Sequence, residues 1–575
     1  MASSSLVHRH VFGLAPTFRG NLVYLDEQTL VYPAGSSVIL CNIGGKMQTF
    51  LPGTENAEGI TCFAMSPNHR FIAVAERGEK AVITVWDTQN YKRRRMITVP
   101  DVMSKEFVAI AFSSDNRHLV AVSGGPDWAL VYLAWDKSKV VGVAKAVCSS
   151  STPVTSVSFH PSDLSTVCLC GNQFFKFFRH TDQQVKQVSG GMGKRDPQNY
   201  LCHTWISDER LIVGTEDGEL LLLENCEFRQ TIPVPVEDVP IDAMCPVSQG
   251  FVAALEGQTL VFEPVEEKEQ FDVKRVIKYG QEHSDDTFVL YDEESTNERV
   301  RSVTISPTQE NICISTSMHS ILTASLVHDA KTDGDEPGHY TALTESPHAA
   351  VITGMDVCVR KPYIATCSTD RTVRVWDYQE HSLEVSKSFT EEALSISLHP
   401  TGMFVVIGFT DKLRLACVLM DDIRVIKQFG VKACKEVAFS NGGQYIAAAN
   451  NNSIQIFNTY TFQLMGTLRG HNGKVRSIYW SEDDSRLISS GMDGAVYEWN
   501  IGEMRREGEC VIKTCAYNCA ICSPSAETIY AAGSDRLLKV INDSQVTHEQ
   551  SLAPAVVRAM AMTRSPDRRV IIAGL

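Results

Sequence analysis

The chain has 575 residues, of which 43% are hydrophobic, and it carries a formal net charge of −15 at pH 7. This length exceeds one ordinary domain and allows a sizeable core, so two domains are the first expectation. So acidic a chain is not expected to bind nucleic acid non-specifically, because a polyanionic partner would need a local basic patch.

Three features of the sequence indicate the cellular compartment of the protein: its N-terminus, its hydropathy and its cysteines. Residues 1–16 (MASSSLVHRHVFGLAP) lack the charged and then apolar layout of a signal peptide. No run of about 18 apolar residues occurs, so no membrane partner is expected. The 17 cysteines, spread through predicted strands, favour buried reduced thiols over a disulfide framework. A cytosolic or cytoskeletal compartment is therefore expected.

A landmark recurs along the chain: an alternating apolar run that ends in Ser or His, often followed by Pro. The twelve landmark positions are Ser66, Ser113, His160, Ser207, Ser248, Ser306, Arg360 (a weaker match), His399, Ser440, Ser481, Ser523 and Ser565. This spacing matches the roughly 40–45 residues of a four-stranded propeller blade. Period-2 runs alternate with turn residues between the landmarks, and no long helical period occurs. The sequence therefore predicts an all-β protein.

The first propeller is expected to span residues 1–335. Ahead of Ser66, residues 21–43 (NLVYLDEQTLVYPAGSSVILCNI) are interpreted as strands that help to close the ring. Counting them gives seven blades up to about Leu326, a number that closes a propeller well.

Four consecutive cations, Lys92, Arg93, Arg94 and Arg95, follow the predicted strand AVITVWD and are expected to lie on a loop. In an acidic protein they are a candidate protein-binding site for acidic tubulin tails or another acidic subunit. A solvated loop without a partner is the alternative.

The widest interval between landmarks contains residues 263–300, which are mostly charged. We expect an insertion that projects outward between two blades, because connections of this length are unusual in compact domains. A partner site and an unstructured loop both remain open. The segment VKRVIKYG (273–280) is a candidate for adding a strand to a partner.

The second propeller is expected to span residues 336–575, following a polar, turn-rich linker at 328–347. Five full repeats precede a sixth that stops inside a strand at 568–575. Because an incomplete ring leaves strand edges unpaired, we expect a shortened form of a longer protein. A closed ring of fewer blades that uses N-terminal strands is the alternative.

Four polar and aromatic residue types recur at fixed offsets in two of these repeats. Thr366, Asp370 and Trp376 lie 18, 22 and 28 residues after His348, and Ser489, Asp493 and Trp499 lie at the same offsets after His471. A catalytic set is seldom duplicated within one chain, whereas a structural network is expected to be. We predict two structural tetrads, in which Trp donates to the hydroxyl, the hydroxyl bonds His, and Asp holds His from a turn.

The tetrad spacing and the terminal WD (376–377) and WN (499–500) resemble the WD-repeat family. Longer blocks are similar to a family of axonemal WD-repeat proteins, namely HVFGL (10–14), DEQTLVYPAG (26–35), PQNYLCHTW (197–205), RKPYIATCSTDRTVRVWDY (360–378) and CKEVAFSNGGQYIAAANNNSIQIF (434–457). The resemblance implies a non-enzymatic scaffold without cofactor or metal. It also implies that the protein associates with inner-arm dynein components and doublet microtubules of the ciliary or flagellar axoneme, and that part of it is found in the cytoplasm. It also implies long coiled coils after two propellers; no such region is present in these 575 residues, and any self-association through it would need the longer protein.

Two other function classes remain open at this stage. One is a WD-repeat adaptor for a ubiquitin ligase or a transport complex. The other is a propeller enzyme with its site in the central channel, which would need converging titratable groups there. No sequence motif predicts such a cluster.

Overall fold

The computed structural model of the protein describes residues 8–55, 57–181, 184–188, 190–193, 195–236, 238–265, 270–279, 298–326, 338–344, 347–525, 527–552, 557–562 and 570–574. In these residues the regular elements are β-strands and one turn of 3-10 helix at Trp135–Lys137. The predicted all-β class is therefore confirmed. Turn residues such as Asn116, Asp484 and Gly443 adopt φ angles of 61°, 57° and 76°, which Asn, Asp and Gly tolerate best.

The chain divides into two compact units, Met1–Pro347 and His348–Leu575. The predicted domain boundary between residues 335 and 336 lies outside the described residues. Both units are built from antiparallel sheets whose strands follow one another in the chain. Short turns between period-2 runs favour this arrangement, because each strand pairs with its nearest neighbour in sequence.

The described part of the first unit contains seven sheets, of which sheets 1 to 5 have four strands each. Their strands are β1 (Val23–Asp26), β2 (Thr29–Ala34), β3 (Ser37–Asn42) and β4 (Gln48–Pro52) in sheet 1; β5 (Gly59–Met65), β6 (Phe71–Arg77), β7 (Val82–Asp87) and β8 (Lys92–Thr98) in sheet 2; β9 (Phe107–Phe112), β10 (His118–Ser123), β11 (Leu130–Ala134) and β12 (Lys139–Ala144) in sheet 3; β13 (Val154–Phe159), β14 (Thr166–Gly171), β15 (Phe174–Thr181) and β16 (Gln184–Val188) in sheet 4; and β17 (Tyr200–Trp205), β18 (Arg210–Thr215), β19 (Leu220–Glu224) and β20 (Glu227–Ile232) in sheet 5.

Sheets 6 and 7 are completed by strands from further along the chain. Sheet 6 contains β21 (Ala243–Val247), β22 (Gly250–Leu255), β23 (Gln258–Val265) and β24 (Gln270–Lys278), and sheet 7 contains β25 (Val300–Ile305), β26 (Asn311–Thr316) and β27 (Ile321–Ser325). Strand β28 (Gly338–His339) adds to β24 in parallel, and β29 (Thr341–Ala342) pairs antiparallel with β27. The interpretation of 328–347 as only a linker is therefore wrong at these residues, because their backbone groups complete two sheets.

The predicted insertion at 263–300 is also wrong in part. Residues 263–265 belong to β23 and residues 270–278 form β24, with Glu263 opposite Asp272. The segment expected to add a strand to a partner thus pairs within its own sheet. Residues 280–297 of the predicted insertion lie outside the described residues.

The first unit closes on itself through packing between sheets. Consecutive sheets share apolar clusters, and the last of them places Cys313 and Ile321 of sheet 7 against Tyr24 of sheet 1 and against Leu22, which directly precedes that sheet. The Tyr24 backbone N–H also donates to Thr304 Oγ1 at 3.1 Å. Residues 21–43 therefore contribute to closure as part of a complete sheet of their own.

In its described residues the second unit contains five four-stranded sheets and one two-stranded sheet. They are sheet 8 with β30 (Ile352–Val357), β31 (Tyr363–Ser368), β32 (Thr372–Asp377) and β33 (Ser382–Ser388); sheet 9 with β34 (Ser395–Leu398), β35 (Phe404–Gly408), β36 (Leu413–Val418) and β37 (Ile423–Phe429); sheet 10 with β38 (Val437–Phe439), β39 (Tyr445–Asn450), β40 (Ser453–Asn458) and β41 (Leu464–Arg469); sheet 11 with β42 (Val475–Trp480), β43 (Arg486–Gly491), β44 (Ala495–Asn500) and β45 (Arg505–Val511); sheet 12 with β46 (Tyr517–Cys522), β47 (Thr528–Gly533), β48 (Leu537–Asn542) and β49 (Gln545–Ser551); and sheet 13 with β50 (Val557–Met562) and β51 (Val570–Gly574). The number of blades in the complete second propeller stays a prediction.

Candidate functional site

The first predicted tetrad forms a hydrogen-bonded chain within sheet 8. Trp376 Nε1 on β32 donates to Thr366 Oγ1 on β31 at 2.9 Å, and this hydroxyl lies 2.7 Å from His348 Nε2. His348 Nδ1 lies 3.0 Å from Asp370 Oδ2 in the turn between the two strands. Since the indole can only donate, the hydroxyl proton points to His348 Nε2, and the Nδ1–H of His348 donates to Asp370.

The second tetrad repeats this geometry in sheet 11. Trp499 Nε1 donates to Ser489 Oγ at 2.8 Å, and Ser489 Oγ lies 2.8 Å from His471 Nε2. His471 Nδ1 lies 3.1 Å from Asp493 Oδ1, and the same carboxylate accepts the Asn472 backbone N–H at 2.7 Å. The side chains of His471 and Asp493 are 1% and 11% exposed, so solvent contributes little to satisfying them.

The electrostatics of the second tetrad favour a neutral histidine beside an ionised carboxylate. Burial lowers the pKa of His471, and the hydrogen bond and charge of Asp493 offset only part of that effect. Burial alone would raise the pKa of Asp493, but the hydrogen bond from His471 and those from two backbone N–H groups lower it overall. The same balance lowers the pKa of Asp370 in the first tetrad, where His348 and Thr372 donate to it. We interpret both tetrads as internal braces, and this role stays a prediction.

A third histidine network was not predicted from the sequence. Trp205 Nε1 on β17 donates to Ser158 Oγ on β13 at 3.1 Å, and Ser158 Oγ lies 2.6 Å from His203 Nε2. Cys170 Sγ lies 3.1 Å from His203 Nδ1. Because this network joins neighbouring sheets 4 and 5, its members do not follow the tetrad offsets. The available signal was His203 and Trp205 on one face of a period-2 strand.

The four predicted cations lie on a strand, so the prediction of a loop is wrong. Residues Lys92–Thr98 form β8, the outermost strand of sheet 2, with Lys92 opposite Asp87 and Arg95 opposite Val85. Charged residues are depleted in buried strands but are tolerated on an outer strand, where both faces meet water. Lys92, Arg93, Arg94 and Arg95 are all exposed.

Two of these four cations are held by the protein itself. Arg94 Nε donates to Asp87 Oδ2 at 3.0 Å, and Asp87 is fully buried. Burial would raise the pKa of Asp87, but Arg94, backbone N–H donation and Arg70 together lower it. Arg95 Nε donates to the backbone carbonyl of Asp136 at 2.9 Å.

The exposed side chains of Lys92 and Arg93 on β8 are available to bind another protein. No carboxylate of the described residues forms an ion pair with either side chain. Lys137 and Lys139 are exposed and close in sequence to Asp136, whose backbone carbonyl accepts from Arg95 and whose own side chain is also exposed. We call Lys92, Arg93, Arg95, Lys137 and Lys139 the basic edge.

Two other features of the described residues are relevant to function: whether metal-ligating side chains cluster, and whether a helix could span a membrane. They contain no group of three or more His, Cys, Asp or Glu side chains placed to hold a metal ion. Among these same residues, none of the helices has the length and apolar character needed to cross a membrane.

The chain is similar to WD-repeat proteins of cilia and microtubules. The family described as WD domain, G-beta repeat matches residues 341–377 and 462–500, and these two ranges contain all eight tetrad residues. Cilia- and flagella-associated protein 57 of Mus musculus is 37% identical over 97% of this chain, which covers 48% of that protein. Cilia- and flagella-associated protein 57 C of Tetrahymena thermophila is 28% identical over 99% of the chain and 50% of its own length. Echinoderm microtubule-associated protein-like 1 of Mus musculus is 23% identical over 84% of the chain and 57% of its own length. The chain thus spans about half the length of these relatives.

Proposed function

Because this chain is a WD-repeat protein that closely resembles the N-terminal half of cilia- and flagella-associated protein 57, we propose that it is a non-enzymatic scaffold of the cilium or flagellum. The observation that carries the proposal is the 37% identity over 97% of the chain. A frame of packed sheets suits this role, since its exposed strands and loops can hold partners while the core stays rigid.

The finer part of the proposal is a role in inner dynein arm assembly or regulation on doublet microtubules. The cilia- and flagella-associated relatives support the axonemal location, and a microtubule-associated relative supports contact with microtubules. A cytoplasmic pool would supply the axoneme.

The basic edge is the surface we propose for contact with acidic tubulin tails. The chain as a whole carries a net charge of −15, so it would repel an acidic partner unless a local positive surface meets it. Lys92 and Arg93 provide that surface without first breaking an internal ion pair. The competing explanation is that these cations only keep the outer strand from pairing with another chain.

Co-sedimentation with microtubules separates these two explanations. The double variant Lys92→Gln/Arg93→Gln should bind about tenfold less tightly than the natural chain at low salt, and removal of the tubulin tails should abolish that difference. The matched control Lys432→Gln/Lys435→Gln removes two exposed cations of the second unit and should bind normally. Equal binding by both double variants would reject the basic edge as the docking surface.

The scaffold proposal itself is tested in axonemes. A tagged chain should be found in isolated axonemes and should be released together with inner-arm dynein when salt extracts it. Its absence from axonemes, or its recovery with the same partners from ciliated and unciliated cells, would favour an adaptor of another complex.

A further inference from the structure

The first unit contains a cavity of about 210 Å³ where the first strands of its sheets converge. Strands β5, β9, β13, β17, β21 and β25 all contribute lining residues, and consecutive ones contact each other. The segment before β1 reaches the cavity through Arg19 and Gly20, and the Gly20 N–H donates to the Arg301 carbonyl at 3.0 Å. Neither the basic edge nor the two tetrads use this cavity.

One carboxylate and two guanidinium groups form a fixed cluster at the cavity. Asp242 is 1% exposed, and among the described lining residues it is the one acidic side chain. Arg299 donates to it through both arms of its fork, with Nη2–Oδ1 at 2.6 Å and Nε–Oδ2 at 3.1 Å. Arg19 adds Nη2–Oδ1 at 3.3 Å and donates through Nη1 to the backbone carbonyl of Asp242. Both carboxylate oxygens are therefore already occupied.

The positive charge of Arg301 is not paired with the Asp242 carboxylate, whose oxygens accept from Arg19 and Arg299. Its side chain lines the cavity, and its Nε is buried without a hydrogen-bond partner in the described part of the chain. Burial lowers the pKa of Arg301, and the positive charges of Arg19 and Arg299 lower it further, against the attraction of Asp242. Arg301 as a whole is half-buried, and a guanidinium group whose buried Nε has no partner is stabilised when an anion pairs with it.

The charge and the number of donors indicate which anion fits. The charged side chains that line the cavity are Arg19, Arg301 and Asp242, and they leave a formal charge of +1. Arg299 is not among the lining residues; it pairs with Asp242 and is also attracted by Glu216 and Glu256. A phosphate group carries about −1.5 to −2 at pH 7 and offers three acceptor oxygens, so it can accept from both lining guanidinium groups at once, which chloride or a single carboxylate does less well. Guanidinium groups bind such oxygens through two parallel hydrogen bonds.

We propose that this cavity binds a phosphate group, as inorganic phosphate or as the phosphate of a small ester, with Arg301 as the main donor and Arg19 as the second. Arg299 is a positioning residue, because it holds the Asp242 carboxylate beside the site. The ligand would also link the segment before β1 to β25, where the first unit closes.

Calorimetric titration of the full chain at constant ionic strength tests the site, with inorganic phosphate, glycerol 3-phosphate and acetate as three separate probes. Inorganic phosphate or glycerol 3-phosphate should bind saturably, at least about tenfold more tightly than acetate. The tighter of the two phosphate probes shows whether the free anion or an ester is preferred. Binding of acetate as tight as that of both phosphate probes would overturn the proposal.

Variants then assign the site to Arg301. Arg301→Gln should weaken phosphate binding at least about tenfold, while Arg301→Lys, which keeps the charge, should lose less. Arg229→Gln is the matched control, because that side chain is 64% exposed and should leave binding unchanged. Unchanged affinity in Arg301→Gln would overturn the assignment.

A second measurement keeps the proposal testable if Arg301→Gln does not fold. Phosphate should raise the Tm of the natural chain more than chloride does at equal ionic strength, because a ligand of the folded state stabilises it. Equal Tm values in the two salts would refute the site.

Discussion

Ser489→Ala should destabilise sheet 11, because one buried hydroxyl satisfies two other buried groups. Ser489 is fully buried, accepts the Trp499 indole N–H at 2.8 Å and lies 2.8 Å from His471 Nε2. Its removal leaves the indole donor and the imidazole acceptor without partners. Each orphaned group costs about 1–3 kcal/mol, so we expect a loss of roughly 2–6 kcal/mol in the free energy of opening.

The neighbouring residue provides a closely matched control. Ser490 is also fully buried, but its hydroxyl has no hydrogen-bond partner in the described structure. Ser490→Ala therefore makes the same chemical change without orphaning another group. We expect an effect within about 0.5 kcal/mol, or a slight gain in stability.

Amide hydrogen exchange of peptides that cover β42–β45 is the appropriate assay, since it reports local opening in a chain with two compact units. A loss of 2 kcal/mol or more corresponds to exchange at least about 30-fold faster, because 1.4 kcal/mol is a factor of ten. Exchange in Ser489→Ala that matches Ser490→Ala and the natural chain would refute the interpretation of the tetrad as a brace.

Two further predictions concern pH and backbone geometry. Acidification from pH 7 to pH 5 should destabilise the first unit by about 2 kcal/mol, because burial lowers the pKa of His203 from 6.5 to about 4. At acidic pH the unfolded chain binds more protons than the folded chain, so the stability present above pH 6.5 is lost as the pH falls towards 4. Hydrogen exchange of β17 at both pH values measures this loss. A His203→Asn variant with the same pH dependence would contradict the prediction. Gly443→Ala should lower the free energy of unfolding by about 2–4 kcal/mol in a denaturant titration, because φ at Gly443 is 76° and a Cβ would collide with the His399 ring. The control Gly430→Ala, where a Cβ meets no atom within 4 Å, should leave the free energy of unfolding nearly unchanged in the same titration.

The tetrads could be found in the sequence because each lies within one sheet. His348 precedes the first strand of sheet 8, whereas Thr366, Asp370 and Trp376 lie on its second strand, in the next turn and on its third strand. Because these strands follow one another in the chain, a fixed number of residues separates the four side chains. The same count in sheet 11 brings the corresponding atoms to similar distances. Local pairing of neighbouring strands turns sequence offsets directly into geometry.

The location of Lys92–Arg95 was harder to predict, because exposure on an outer strand and exposure on a loop produce the same charged sequence. Pairing with β7 distinguishes the two. The strands β28 and β29 were also hard to predict, because two residues are too few to show a period-2 pattern. They become strands by hydrogen bonding to the edges of β24 and β27.

The sequence by itself determined the repeating strands, the all-β class and the members of both tetrads, because those features depend on neighbours within one sheet. Only the tertiary structure decided that Arg19, Asp242 and Arg301 line one cavity, that Arg299 pairs with Asp242, and that Ser158 of sheet 4 bonds His203 of sheet 5. These residues belong to different sheets or to the segments that precede them, and they meet because neighbouring sheets of the first unit pack through their side chains. Contacts of that kind fix positions in space without imposing any constant spacing along the chain.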